Sequence, residues 1–255
     1  MTSLGGYARK SLDVDLSTGK ITIQEVLPES SLVSRFVGGR GISSKILYDS
    51  VGPETQPLDE ANVLVFSTGP LTGSLAPSSS RAVFAAKSPL TGIFGDANIG
   101  GNFGPEVKFA GFDFFVIRGK SPKPVYLWID DSTVSIEDAT PLWGKDSWET
   151  QTALREMYND DSIKVACIGQ AGENLVAIAN IMSAGHAAGR TGMGAVMGSK
   201  NLKAIVVRGS GDVPHADIEG TLAKAAAFVE LLNEDSYPMQ LAKTFGTPLW
   251  QDQSY

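Results

Sequence analysis

Cysteine is almost absent: Cys167 is the only one in 255 residues. That excludes an intrachain disulfide and any cysteine-rich metal site built from this chain alone. Histidine is nearly as scarce, and His186 and His215 do not stand at metal-ligand spacing. No run approaches the ~18 consecutive apolar residues of a membrane span. The first residues, MTSLGGYARKSLDVDL, lack the apolar core of a signal peptide. There is no Lys/Arg block, and the net charge of -7 argues against a nucleic-acid groove. A Gly-x-Ser-x-Gly nucleophile elbow is also missing. These absences lead us to expect a cytoplasmic protein with neither membrane nor nucleic acid as partner.

What the chain does have suits a globular domain. Hydrophobic residues make up 42% and charged residues 19%, which excludes a disordered chain. SLDVDLSTGKITIQEV alternates apolar positions around a Ser-Thr-Gly turn, which predicts a β-hairpin. PVYLWIDDSTVSIEDA repeats that pattern around Asp-Asp-Ser. NVLVFSTGP, RAVFAAKSP, FDFFVIRGK, IKVACIGQAG and LKAIVVRGSG are short apolar runs closed by Gly or Pro, and read as buried strands. Cys167 lies in the fourth of these and is expected in the core.

Helices are fewer. Ser30 to Phe36 and Ile42 to Tyr48 read as two short helices broken by GGRG. SWETQTALREMYND reads as a third, with Ser147 as N-cap and Thr150 where a capping box would place Glu. Composition changes near Gly209. ADIEGTLAKAAAFVELLNED, rich in Ala, Leu, Glu and Lys, then predicts a long helix. A boundary is placed at 209 to 216, with His215 in the solvated connection. No internal repeat or low-complexity tract is evident.

Glycine is in excess, 28 residues against a usual ~7%. It concentrates in FVGGRGISSK, TGPLTGSLAPSSSR, SPLTGIFGDANIGGNFGPEVKFAG and SAGHAAGRTGMGAVMGSKNLKA. Exposed amides at glycine turns bind anions. Arg40, Arg81 and Arg190 lie in or beside such segments, and the guanidinium fork suits phosphate oxygens. GRTGMGAVMGSK looks like a nucleotide loop but fails both tests. Three residues, not four, separate Gly194 from Gly198, and Ser precedes Lys, so it is no Walker A loop. Met197 stands where a Rossmann loop has its third glycine. Composition and spacing therefore point to a large phosphate-bearing ligand on a β-rich platform, with no catalytic arrangement.

Six stretches, in order, carry a resemblance. They are GPLTG (69–73), KSPLTG (87–92), ANIGGNFGPEVKFAGFD (97–113), GKSPKPVYLWI (119–129), IGQAGENLV (168–176) and AAGRTGMGAVMGSKNLKAIVVRG (187–209). Together they resemble the N-terminal domain of the aldehyde:ferredoxin oxidoreductase family. The resemblance implies an α+β fold: a β-sheet-rich cofactor base with flanking helices over 1–210. Residues 211–255 would be a linker and the beginning of a helical second domain, to which FGTPLW (245–250) is similar. It implies a tungstopterin or molybdopterin cofactor, two pterins per metal, with Mg²⁺ bridging their phosphates. It implies oxidation of aldehydes to carboxylic acids, with electrons passed through a [4Fe-4S] cluster to ferredoxin.

The resemblance also implies site residues. Arg81 would lie against the pterin, and Asn98 would hold Mg²⁺ through its carbonyl, with Gly100 and Gly101 beside the cofactor. A second Mg²⁺ carbonyl would come from Ala187 or Ala188, Ala188 being preferred. Gly189 and Arg190 would complete that contact, and His186 stands where the family often has a basic pair. The family's cluster cysteines and its catalytic Glu and His have no counterparts here, so no catalytic residue is expected in this chain. A shortened chain, a split-gene product or a separate helical-domain partner chain would each account for that. Without such a partner the base is expected to expose an apolar face or to form a homo-oligomer. Two alternatives are a fragment of a related subunit that reduces aromatic acyl-CoA, and a non-catalytic metallopterin-binding protein.

Overall fold

The computed structural model describes residues 5–233 and 237–246. One compact unit runs to Ser74 and from Ser79 to Ala216; a second takes in Leu75–Ser78 and resumes at Asp217. The larger unit holds two six-stranded sheets.

The first sheet contains β1 (Lys10–Asp15), β2 (Lys20–Glu25), β3 (Leu64–Thr68), β4 (Ala82–Lys87), β5 (Phe94–Ile99) and β6 (Phe114–Arg118). Their order is β2-β1-β6-β3-β4-β5. The second contains β7 (Val125–Asp130), β8 (Thr133–Asp138), β9 (Lys164–Cys167), β10 (Ile181–Ser183), β11 (His186–Ala188) and β12 (Leu202–Arg208). Its order, read from the other edge, is β8-β7-β12-β9-β10-β11. The two orders are the same, and in each only the first hairpin's inner strand is paired parallel, β1 with β6 and β7 with β12. The fold is thus a structural repeat that the sequence reading does not find. Its trace in the sequence is faint. Gly104 and Gly194, and Arg118-Gly119 and Arg208-Gly209, recur at a spacing of 90 (104 to 194, 118 to 208).

Period-two alternation sorts each strand onto two cores. Leu64 and Phe66 of β3 face a central core shared with Leu127, Ile205 and Val207 of the second sheet. Two helices, α3 (Phe103–Phe109) and α6 (Met193–Ser199), contribute Phe103, Val107, Val196 and Met197 to it. Phe66 packs against Phe84, Phe103 and Phe115 at centroid distances of 4.9 to 5.3 Å. Val65 points the other way, into a layer with Val33 and Ile42 of α1 (Ser31–Phe36) and α2 (Gly39–Ser50). On the far face of the second sheet, Val165 and Cys167 pack on Leu154 of α4 (Ser147–Tyr158). Cys167 is buried, as expected.

Three local expectations are corrected. α2 begins inside GGRG at Gly39 rather than after it, because the break falls at Val37, whose φ of 64° ends α1. The cap of α4 is Asp146, not Ser147. Its carboxylate accepts from the amides of Trp148 and Glu149, and Glu149 accepts from the amide of Asp146, a complete capping box. His215 is half-buried and makes contacts, so it is not simply solvated. The smaller unit contains α7 (Ile218–Asn233), which buries none of its residues, and α8 (Tyr237–Phe245). All of FGTPLW except Phe245 and Gly246 lies outside the described residues. No described helix is long and apolar enough to cross a membrane.

Candidate functional site

The edge strands β5 and β11 bring the two sheets together. Strand β5 alternates, so Gly95, Ala97 and Ile99 are buried while Asp96 and Asn98 look outward. A polar cleft of about 520 Å³ opens there, lined by Arg40, Arg81, Asp96, Asn98, Ala187, Gly189 and Arg190. The lining thus holds three arginines and one aspartate, on a chain that is acidic as a whole.

The segments that carry the three arginines are each placed by an identifiable local contact. Thr72 of GPLTG is buried; its hydroxyl accepts from the amide of Gly69 and donates to the carbonyl of Arg81, at 3.0 and 2.8 Å. That clamps the loop in front of β4 and sets Arg81 at the cleft. Ser88 of KSPLTG accepts from the amides of Leu90 and Thr91, a short hydroxyl-capped turn. Its hydroxyl donates to the carbonyl of Thr191 at 2.8 Å, tying the β4–β5 turn to the segment of Arg190. Ser67 donates to the carbonyl of Gly39 at 2.7 Å, fixing the start of α2 and hence Arg40. Arg40 then reaches Asp96 with Nε and Nη2, at 2.9 and 2.7 Å, both on Oδ2.

Of the nine residues singled out from the sequence, Arg81, Asn98, Ala187, Gly189 and Arg190 share the cleft. His186, Gly100 and Gly101 form its neighbourhood: the imidazole of His186 lies directly on the two glycines. Ala188 is different. In β11 it pairs with Ile181 of β10 and is fully buried, whereas Ala187 is exposed and lines the cleft. Asp96 was missed. The signal was present, since strand periodicity places it two residues from Asn98 on the same face, but the segment read as a glycine-rich loop rather than a strand.

The nucleotide-like run resolves differently at each end. A Cβ on Gly194 would lie 2.5 Å from the carbonyl oxygen of Asn180. A Cβ on Gly198 would lie 2.0 Å from the carbonyl oxygen of Gly172 in α5 (Gln170–Glu173), so these glycines admit the neighbouring backbone. Lys200 turns away from the cleft altogether. It is buried, and its ammonium donates to the carbonyls of Asn62 at 2.5 Å, Gly119 at 3.0 Å and Glu60 at 3.4 Å. Burial lowers its pKa from the ordinary 10.5 to about 8. No cluster of three or more His, Cys, Asp or Glu side chains suited to a metal ion occurs among the described residues. The arrangement can bind an extended anion.

Comparison with known proteins places the chain in a family. The family model for aldehyde ferredoxin oxidoreductase, N-terminal domain, matches residues 11–209. A tungsten-containing aldehyde ferredoxin oxidoreductase of Pyrococcus furiosus is 46% identical over 223 residues, covering 87% of this chain and 36% of the relative. An aliphatic sulfonate oxidoreductase, WOR-like subunit, of the same organism is 40% identical over 224 residues, 82% of this chain and 35% of the relative. Among solved structures, the active site complex BamBC of benzoyl coenzyme A reductase, in complex with 1,5-dienoyl-CoA, superimposes with a TM-score of 0.87 at 38% identity. That match covers 92% of this chain and 36% of the matched one. The chain therefore spans about a third of the length of these relatives. Its match to the family model runs through both sheets and every cleft residue, and the chain belongs to the aldehyde ferredoxin oxidoreductase family.

Proposed function

We propose that this chain is the metallopterin-binding base of a tungsten- or molybdenum-dependent oxidoreductase that converts aldehydes to carboxylic acids. The observation that carries the reading is the convergence of Arg40, Arg81, Arg190, Asn98 and the open backbone at Ala187 and Gly189 in one cleft. That donor set fits a ligand bearing several phosphate oxygens, because guanidinium forks and exposed backbone bind such oxygens strongly. Arg81 and Arg190 would hold phosphate or pterin oxygens from opposite sheets. The carbonyls of Asn98 and Ala187 would offer hard oxygen ligands to Mg²⁺ between the phosphates. Gly100, Gly101 and His186 would form the wall beside the pterin. The metal itself would be carried by the cofactor.

When bound, such a group supplies two-electron redox chemistry: aldehyde and water become carboxylic acid, two protons and two electrons. This chain's part is to bind, orient and charge-balance. The reading assigns the [4Fe-4S] ligands and the substrate-facing residues to helical domains, in a partner chain or a longer polypeptide, and names ferredoxin as acceptor. Cys167 is no cluster ligand, since its thiol is buried in β9 and donates to the carbonyl of Ser147.

The test is metal and pterin analysis of protein made together with a family helical portion in a host that synthesises tungstopterin. Tungsten or molybdenum with two pterins per metal is expected, and Arg81→Ala and Arg190→Ala should lower occupancy. Metal-free, pterin-free protein under those conditions overturns the reading. The likeness to the benzoyl-CoA reductase complex favours a second substrate, an aromatic acyl-CoA taken in the reductive direction. Assaying the loaded protein with aldehydes and with aromatic acyl-CoA separates the two.

A further inference from the structure

The ion pair between Arg40 and Asp96 is unequal. Arg40 sits in the first turn of α2, with its side chain 63% exposed, while Asp96 projects from β5 at 18%. The carboxylate is therefore fixed by a sheet, and the guanidinium is the partner free to move. Both bonds from Arg40 end on Oδ2, so the pair uses one carboxylate oxygen and two of five guanidinium donors. The pair also lies inside the cleft, beside Arg81, Arg190 and Asn98, rather than on a remote surface. An ion pair this exposed contributes little to folding. A phosphate group entering the cleft would offer the same guanidinium more oxygens and more charge.

We infer that Arg40 is an anion-binding residue of the cleft, and that Asp96 is a positioning residue that holds it in reserve and weakens the cleft's grip on phosphate. In the free cleft, Asp96 parks the Arg40 guanidinium within reach of the ligand and offsets one of the three positive charges. When a phosphate-bearing ligand enters, Arg40 exchanges Asp96 for phosphate oxygens. Binding is then weaker than three unopposed arginines would give, and release is correspondingly easier. The inference deepens the metallopterin reading and takes from it only the identity of the anion as a cofactor phosphate.

The test titrates inorganic pyrophosphate into the full 255-residue chain at low salt by calorimetry, with no cofactor needed. Asp96→Asn should tighten binding, and Arg40→Gln should weaken it, each by about two- to five-fold, the range of an exposed ion pair. In the Arg40→Gln background, Asp96→Asn should gain clearly less, because the competition it relieves is gone. Arg40→Lys should recover part of the loss. An Asp96→Asn protein that binds no more tightly than wild type, or gains as much without Arg40, overturns the role of Asp96. An Arg40→Gln protein with wild-type affinity, or a wild type that binds no pyrophosphate, overturns the role of Arg40. Arg40 is exposed, so its variants remain interpretable if an Asp96 variant folds poorly. Pyrophosphate effects as expected in protein that never takes up metal or pterin would sink the cofactor assignment alone. Loaded cofactor with no variant effect would sink this inference alone.

Discussion

The imidazole of His186 rests on the backbone of Gly101: a Cβ added there would lie 2.5 Å from Cδ2 of the ring. Gly101 also has a φ of 74°, in the left-handed region. One residue therefore satisfies two demands, a turn after β5 and a seat for a side chain from the second sheet. Gly101→Ala is expected to destabilise the protein by about 1–3 kcal/mol in urea unfolding. Adding His186→Ala should recover part of that loss by removing the clash, leaving the backbone strain. No recovery in the double variant would mean that the ring does not press on this glycine.

Lys200 gives the stability a pH signature. Its ammonium is buried against three carbonyls, with a folded pKa of about 8 below an ordinary value of 10.5. Between those values the unfolded chain binds more protons, so the Lys200 contribution to stability rises with pH across the window and is lost as pH falls through about 8. Burial raises the pKa of Tyr126 and Tyr158, which acts on stability with the opposite sign at alkaline pH, so the difference from a variant is the useful quantity. The unfolding free energy of wild type minus that of Lys200→Met should climb from about pH 8 towards pH 10.5. A flat difference would contradict a depressed pKa.

Cys167 should be inert. Burial pushes its thiol up to about 12, far from the thiolate needed for alkylation. Iodoacetamide at pH 8 should leave native protein unmodified by mass spectrometry and label it fully in denaturant. Rapid native labelling would show that β9 opens or that the thiol is exposed.

Asp146 caps α4 through two amides and receives the reciprocal bond of Glu149. Asp146→Ala should lower stability by about 1 kcal/mol, within the usual ~0.5–2 range for such caps. Ser147→Ala should cost clearly less. The reverse ranking in denaturant titrations would restore Ser147 as the cap.

Strand character was written locally. The apolar runs of β3, β4, β6, β9 and β12 and the hairpins β1–β2 and β7–β8 follow from alternation and turn residues, which depend only on near neighbours. The phosphate-like chemistry of Arg40, Arg81 and Arg190 was legible for the same reason, as donors beside glycine turns. Tertiary structure alone decided the rest. Strand order depends on pairings between distant segments, so the repeat of one six-strand order in both sheets left only a few identities at a spacing of 90 residues (104 to 194, 118 to 208). The meeting of edge strands β5 and β11 decided which residues share a cleft. It set Asp96 and Asn98 of β5 opposite Ala187 and Arg190 in one cleft, while packing elsewhere turned Lys200 inward to the carbonyls of Asn62 and Gly119. A sequence lists donors and acceptors; only burial, which is a property of the packed chain, determines which of them face a ligand and which face each other.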